Sequence, residues 1–316
     1  MGLLVALTAF PAGAKWYTAD DTIMGTTIHV ELWHENEREG ERLTELARNE
    51  LRRIDAAMSP HKPGSDIYRL NREAAAGPVA VSGELIDLVE RALDLSRITA
   101  GAFDITFASA GYAYDYRMAV RPSDNQLRSL RPNIDYRYVM VDRDRALIRF
   151  ARSGVKVDLG GIAKGYAVER SIRLLRDQGV RHALVSAGGD TRVLGDRNGR
   201  PWIVGIRHPR SKGKLVTRLP LVDEAVSTSG DYERFFEDQG VRYHHIINPE
   251  TGDSARGVQS VTIIGPDATM TDGLSTGVFV LGAERGLNLI NRLPGYEAVI
   301  IDGHGDLHYS DGLESR

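Results

Sequence analysis

Several short stretches of this chain carry residue types at spacings that could do chemistry. The first is Asp158-Leu159-Gly160-Gly161-Ile162-Ala163-Lys164-Gly165-Tyr166, where a strand-like run at 155–157 passes through two glycines into a predicted helix. Such a turn exposes backbone N–H groups at the positive end of a helix, where a phosphate can sit, and the small residues allow close approach. It has neither the spacing of a Walker loop nor the Gly-x-Gly-x-x-Gly of a dinucleotide fold, and a tight strand-to-helix turn with no ligand accounts for the same residues. The second feature is Asp272 and Thr276, four apart in a predicted helix, so that their oxygens share one face. A carboxylate and a hydroxyl one turn apart suit Mg²⁺ or Ca²⁺, whose shell is completed by water and substrate phosphate. An Asp near a helix start is equally an ordinary capping or dipole residue.

The third stretch is Tyr243-His244-His245-Ile246-Ile247-Asn248-Pro249-Glu250-Thr251-Gly252. Histidine moves protons near neutral pH, and the Pro and Gly would hold a turn beside it. In a strand the two imidazoles point to opposite faces, so one could serve a site while the other is structural. Ser186-Ala187-Gly188-Gly189-Asp190 and Ser227-Thr228-Ser229-Gly230-Asp231-Tyr232 could line a nucleotide or simply turn the chain. Arg207, His208, Arg210, Lys212 and Lys214 read as a solvated loop tip.

These residues need elements to hold them. Alternating β-branched residues predict a strand over 26–33, and Leu43, Ala47, Leu51, Ile54 and Met58 recur at helical spacing. Further helices are predicted over 85–98, from Gly161 to a stop near Gly179, over 269–281 and over 284–293. Short strands are predicted at 183–186, 202–206, 215–219, 261–264 and 298–301, with Asp196-Arg197-Asn198-Gly199 as a hairpin turn and a second turn at Gly303-His304-Gly305. Strands and helices do not alternate as in a doubly wound sheet, so the expected class is α+β, with mixed or antiparallel sheets and packed helices in a two-lobed single unit whose seam lies near residue 150.

The 316 residues are enough for a substantial core, and with 42% hydrophobic and 26% charged residues a disordered or coiled-coil chain is excluded. Forty Lys and Arg against 43 Asp and Glu give a net charge of −3, which leaves no global field to gather nucleic acid. The absence of cysteine removes thiolate metal sites and cysteine nucleophiles. An apolar run at 3–10 followed by Pro11-Ala12-Gly13-Ala14 is similar to a secretory signal with its cleavage site, and residues 1–14 are then expected to direct export to the periplasm; with no Lys or Arg before it, the same run also reads as a first strand of the domain. Nothing approaches the ~18 uninterrupted apolar residues of a membrane-spanning helix.

Taken in chain order, Met24-Gly25-Thr26-Thr27, Gly101-Ala102-Phe103-Asp104-Ile105-Thr106, the 158–169 block, 186–190, 227–235, 243–252 and 272–276 resemble the ApbE family of FAD:protein FMN transferases, over nearly the whole chain. The resemblance implies transfer of FMN from FAD to a threonine or serine hydroxyl of a target protein through a phosphoester bond, with release of AMP and a requirement for Mg²⁺, with Ca²⁺ or Mn²⁺ as substitutes. It puts FAD beside Met24, Ala102, Phe103, Asp104, Gly160, Tyr166 and Ile246. It gives the metal to the Ala163 carbonyl, Asp272, Ser275 and Thr276, and proton removal to His245. Mg²⁺ bridging the pyrophosphate would neutralise charge and stabilise the leaving AMP.

The chain departs from the family pattern at two places. Ser59-Pro60-His61 stands where the family commonly has Ser-Thr-Tyr, so His61 would offer an imidazole to the flavin or adenine in place of a phenol. The segment 107–117, with Tyr112, Tyr114 and Tyr116, differs as well. The implied partner is a flavin-accepting protein of a membrane redox complex. Two other functions use the same pocket: hydrolysis of FAD to FMN and AMP, with water as nucleophile, and non-catalytic flavin binding by an assembly factor.

Overall fold

The computed structural model describes residues 15–314, so the signal-like run 1–14 lies outside the described residues. Eight strands form the principal sheet: Lys15–Ile23, Thr26–His34, Ala183–Ala187, Asp190–Leu194, Ala225–Gly230, Val258–Gly265, Glu297–Asp302 and Leu307–Tyr309. Their order across the sheet is their order along the chain, and each neighbouring pair is antiparallel. In such a meander the connections leave alternately from the two ends of the sheet. The tight turns Met24-Gly25 and Gly188-Gly189 therefore share one end with the long connection that carries His245. Contacts agree: the Gly188 N–H donates to the Thr27 carbonyl (2.9 Å), and the Thr228 N–H to the Gly189 carbonyl (3.1 Å).

The other described elements, apart from the helix Asp311–Glu314 that follows the last strand, are inserted into this meander. Between Thr26–His34 and Ala183–Ala187 come the helices Glu37–Met58, Asp66–Glu73 and Gly83–Ile98, a small sheet of Val79–Ala80, Val139–Asp142 and Leu147–Phe150, and finally the helix Ala163–Asp177. Between Val258–Gly265 and Glu297–Asp302 come Ala268–Leu281 and Ala283–Ile290. Local chemistry starts these helices: Ser82 accepts from the Leu85 N–H, and Asp267 from the Met270 N–H. One continuous core joins sheet and helices, including Leu32, Leu43, Leu88, Phe150, Ile172, Val261, Ile263 and Phe279. The other face of the sheet is covered by the hairpin Trp202–Arg207/Leu215–Leu221, through Trp202, Leu221, Val193, Val226 and Ile264.

The α+β class holds, and the predicted helices and strands are present with their ends shifted by a few residues, except that the strand-like run 155–157 joins no sheet: its Lys156 and Val157 N–H groups donate to the Ser109 and Asn71 side chains. Two further local expectations are corrected. Asp196–Gly199 does form a tight turn, with Asn198 and Gly199 at positive φ, but it does not close a hairpin. The strand before it pairs within the principal sheet, while Trp202–Arg207 pairs with Leu215–Leu221, so the turn carries the chain from one sheet to another. The stretch 227–230 turns nothing either: it belongs to the central strand Ala225–Gly230. Its small hydroxyl residues hide a period-two pattern, with Ser227 and Ser229 bonding the Ala268–Leu281 helix while Thr228 bonds Thr262 of the next strand.

Candidate active site

The helices Ala163–Asp177 and Ala268–Leu281 run antiparallel and approach unusually closely, because the residues between them are small. A Cβ on Gly165 would strike the Ala268 carbonyl and lie 2.6 Å from the Asp272 Cβ. One turn earlier, a Cβ on Gly161 would meet Thr276 Oγ1 and the Phe103 ring, each at 3.3 Å. One turn later, buried Glu169 accepts from the Ala268 N–H (3.0 Å) and so holds the start of the second helix. Positions 161, 165 and 169 thus face 276, 272 and 268, and this zipper sets Asp272 and Thr276 against the Gly160-Gly161 turn.

Asp272 is neither at the helix start nor exposed. It is the fifth residue of its helix and 2% exposed, and its Oδ2 accepts from the Gly165 N–H at 2.8 Å. Lys164 Nζ lies 3.6 Å from its Oδ1 and donates to Asp190 Oδ2 at 2.5 Å. Burial and the Asp190 charge push the Asp272 carboxyl up to about 7, against the opposing pull of Lys164. Beside it, Ser275 and Thr276 reach the Ser229 hydroxyl at 2.8 and 3.3 Å, and Ser275 also donates to the Asp272 carbonyl. Among the described residues no three His, Asp or Glu side chains gather into a cation cage. A hard cation here would rest on one carboxylate, the hydroxyls, and the Ala163 carbonyl at the start of the facing helix, with substrate oxygens filling the rest. That donor set fits Mg²⁺, which keeps several ligands outside the protein.

The glycine turn is built from Asp158. Its Oδ1 accepts from the Gly160 N–H (2.7 Å) and its Oδ2 from the Tyr112 hydroxyl (3.0 Å). Gly160 is exposed, and His61 lies against Tyr112 with ring centroids 6.3 Å apart. The departures at His61 and at 107–117 therefore meet in one place, beside the glycine turn. Phe103 is buried between Gly161 and Gly277 and forms the floor of the turn. Asp104 follows it, but its carboxylate is spent inside the loop, accepting from the Thr106 N–H and hydroxyl and from the Tyr136 N–H. Burial raises it to about 6. Ala102 is tied back to Thr99 through its N–H.

The two histidines separate, but not by strand alternation: His244 ends the strand Val241–His244 and His245 stands in the bend that follows. His244 is buried, with Nε2 on the Ala255 carbonyl (2.8 Å) and Nδ1 near the Ile246 N–H (3.3 Å), so its tautomer and position are fixed by backbone. His245 is half-buried, with its Nδ1 covered and without a partner. Burial, with Arg234, His244 and Lys164 around it, depresses its imidazole to about 3. Ile246 is buried in the core behind it. Met24 sits at positive φ in the turn at the same end of the sheet, next to Gly188, where a Cβ would lie 2.6 Å from Thr26 Oγ1. Tyr166 is buried with its hydroxyl on Glu84 Oε1 (2.7 Å), an ion pair partner of Arg53, so its phenol is committed away from Asp272.

The order of these pieces along the chain matches the ApbE family over residues 24–300. The chain belongs to the ApbE family. It is 32% identical to the FAD:protein FMN transferase of Treponema pallidum, over 96% of this chain and 90% of that protein, and 33% identical to that of Vibrio cholerae over 77% and 75%. Its fold superposes on the ApbE protein of Thermotoga maritima with a TM-score of 0.88 at 32% identity, covering 95% of this chain and 99% of that one. The flavin transferase ApbE of Vibrio cholerae gives 0.84 at 27% identity, covering 96% and 99%. Within this ApbE-type site, four residues went unassigned in the sequence: Asp158, Tyr112, Asp190 and Ser229. Asp158 and Asp190 flank glycine pairs, a pattern open to reading. Tyr112 and Ser229 become visible only once the insertions are folded onto the sheet.

Proposed function

We propose that the protein transfers FMN from FAD to a threonine or serine hydroxyl of a partner protein, joining them by a phosphoester bond and releasing AMP. The observation that carries this reading is the Asp272, Ser275 and Thr276 face set against the Gly160-Gly161 turn, with His245 on a connection at the same end of the sheet as the Met24-Gly25 turn. With the Gly160 N–H held by Asp158, the Gly161 N–H and the positive end of the Ala163–Asp177 helix bind the pyrophosphate and orient it. Met24, Ala102, Phe103, Gly160, Ile246 and the His61–Tyr112 pair shape the room for the flavin and adenine. Asp104 and Tyr166 act from behind, through the loop and helix that they brace. The Ala163 carbonyl, Asp272, Ser275 and Thr276 would hold Mg²⁺, which when bound supplies positive charge to the phosphate oxygens.

His245 enters the reaction as a neutral ring, because its charged form is suppressed by burial and by Arg234 and Lys164. Its Nε2 lone pair takes the proton of the acceptor hydroxyl as that oxygen attacks the flavin-side phosphorus. The P–O bond to the adenylate half breaks and AMP departs. The anionic pyrophosphate offsets the nearby positive charges, so substrate binding itself strengthens the base. Export through residues 1–14 and a membrane redox complex as the acceptor's home belong to the same proposal.

The test is incubation with FAD, Mg²⁺ and a flavin-accepting domain, followed by intact mass, in-gel flavin fluorescence and AMP release. One FMN attached and one AMP released per acceptor, abolished by Thr→Ala in the acceptor, is the expected result. Free FMN without an adduct would replace the reading with FAD hydrolysis, and FAD binding without either product would replace it with an assembly factor.

A further inference from the structure

Lys164 presents an ammonium to two buried carboxylates at once. Asp190 is 1% exposed and Asp272 2%, and Lys164 is the only side-chain partner of Asp190 among the described residues. The ammonium is not shared evenly: it is in hydrogen-bond contact with Asp190 and at the long distance of 3.6 Å from Asp272. Asp190 opens the strand Asp190–Leu194 directly after the Gly188-Gly189 turn, so its position is fixed by the sheet and not by the helix that bears Asp272. An ammonium resting on Asp272 would oppose a divalent cation on the same carboxylate, because like charges a few ångströms apart repel strongly in a low-dielectric site.

We infer that Asp190 is a positioning residue that draws Lys164 away from Asp272 and thereby leaves the Asp272 carboxylate open to a divalent cation. The inference rests on the metal face proposed above. Asp190 touches neither the cation nor the substrate in this role. It sets how strongly an internal cation, Lys164, competes with the external one. Three consequences follow from the charge balance. With Asp190 neutral, Lys164 has Asp272 as its remaining carboxylate and blocks it. With both Lys164 and Asp190 neutral, nothing competes and Asp272 is again free. If Asp190 were itself a ligand of the cation, the second change would not repair the first.

The experiment measures Mn²⁺ uptake by the FAD-free protein, by titration calorimetry and by the loss of the free-ion electron resonance signal. Wild type should bind one Mn²⁺ and Asp272→Asn none. Asp190→Asn should weaken binding by roughly tenfold or more, and Asp190→Asn/Lys164→Met should bind at least as tightly as wild type. If Asp190→Asn cannot be obtained folded, Lys164→Gln alone serves: it should bind Mn²⁺ more tightly than wild type. Wild-type affinity in Asp190→Asn, or a double variant no better than the single one, overturns the inference while the metal face stands. Absence of Mn²⁺ uptake by wild type overturns the metal face, and the inference falls with it.

Discussion

His245 and Asp272 show how far a residue's role can be read before its surroundings are known. Alternation along a strand would have let only one of the two histidines serve a site, although only His244 lies in the strand. The choice between them was made by the Ala255 carbonyl and the Ile246 N–H, which immobilise His244. Replacing His245 with Asn should lower transfer by about 10² to 10⁴ with little change in FAD affinity, since a general base acts in the transition state. The same ring titrates near 6.5 when unfolded and at about 3 in the fold. Between those values the unfolded chain binds the extra proton, so the contribution to stability is complete above 6.5 and drains away as pH falls toward 3. Urea midpoints measured from pH 7 down to 4 should fall less steeply for His245→Asn than for wild type. Asp272 carries structure as well as chemistry, because it is buried and accepts from the Gly165 N–H: Asp272→Ala strands a buried donor and should cost about 1–3 kcal/mol as well as turnover. Asp272→Asn keeps an oxygen for that donor, so it should unfold near the wild-type temperature while losing transfer.

Among the elements, five helices were legible because apolar residues recur along them at helical spacing and most start on a capping side chain, whereas Asp66–Glu73 and Asp124–Leu130, about two turns each, are too short to show such a stripe. The strand Ala225–Gly230 was not, because Ser, Thr and Gly look like loop residues until a helix is packed over them. The same smallness lets two helices close on the site. Gly165→Ala would wedge a methyl against the Ala268 carbonyl and Asp272. Overpacking of that kind costs roughly 1–3 kcal/mol and should spread the helices, so transfer should fall even at temperatures where the variant is fully folded. Gly83 provides the contrast, since a Cβ there meets nothing within 4 Å and the backbone is at ordinary φ. Gly83→Ala should leave transfer unchanged and raise stability by about 0.4–1 kcal/mol, read as a higher melting temperature.

At the scale of the whole molecule, the α+β class was readable from the irregular succession of elements, whereas the meander was not, since its neighbours are separated by insertions that carry no pairing signal of their own. All three tryptophans, Trp16, Trp33 and Trp202, lie in the strands, while much of the helix belongs to the inserted segments. A continuous core from Leu32 through Phe150 to Phe279 makes these parts interdependent. Thermal unfolding followed by tryptophan fluorescence and by far-ultraviolet circular dichroism should therefore give coincident curves, and two separated midpoints would show that the insertion melts independently. The register of the second and third strands, Ile28 opposite Ala187 and Leu32 opposite Ala183, also has a temporal meaning. The first hairpin can zip as soon as it exists, but its inner edge stays without a neighbour until a partner some 150 residues downstream arrives, a closure whose entropic cost grows only slowly with length. For a chain delivered from its N-terminus, whether by a ribosome or through a narrow pore, this is a built-in delay. More than half of the polypeptide must emerge before the sheet, and with it the pocket, can begin to assemble.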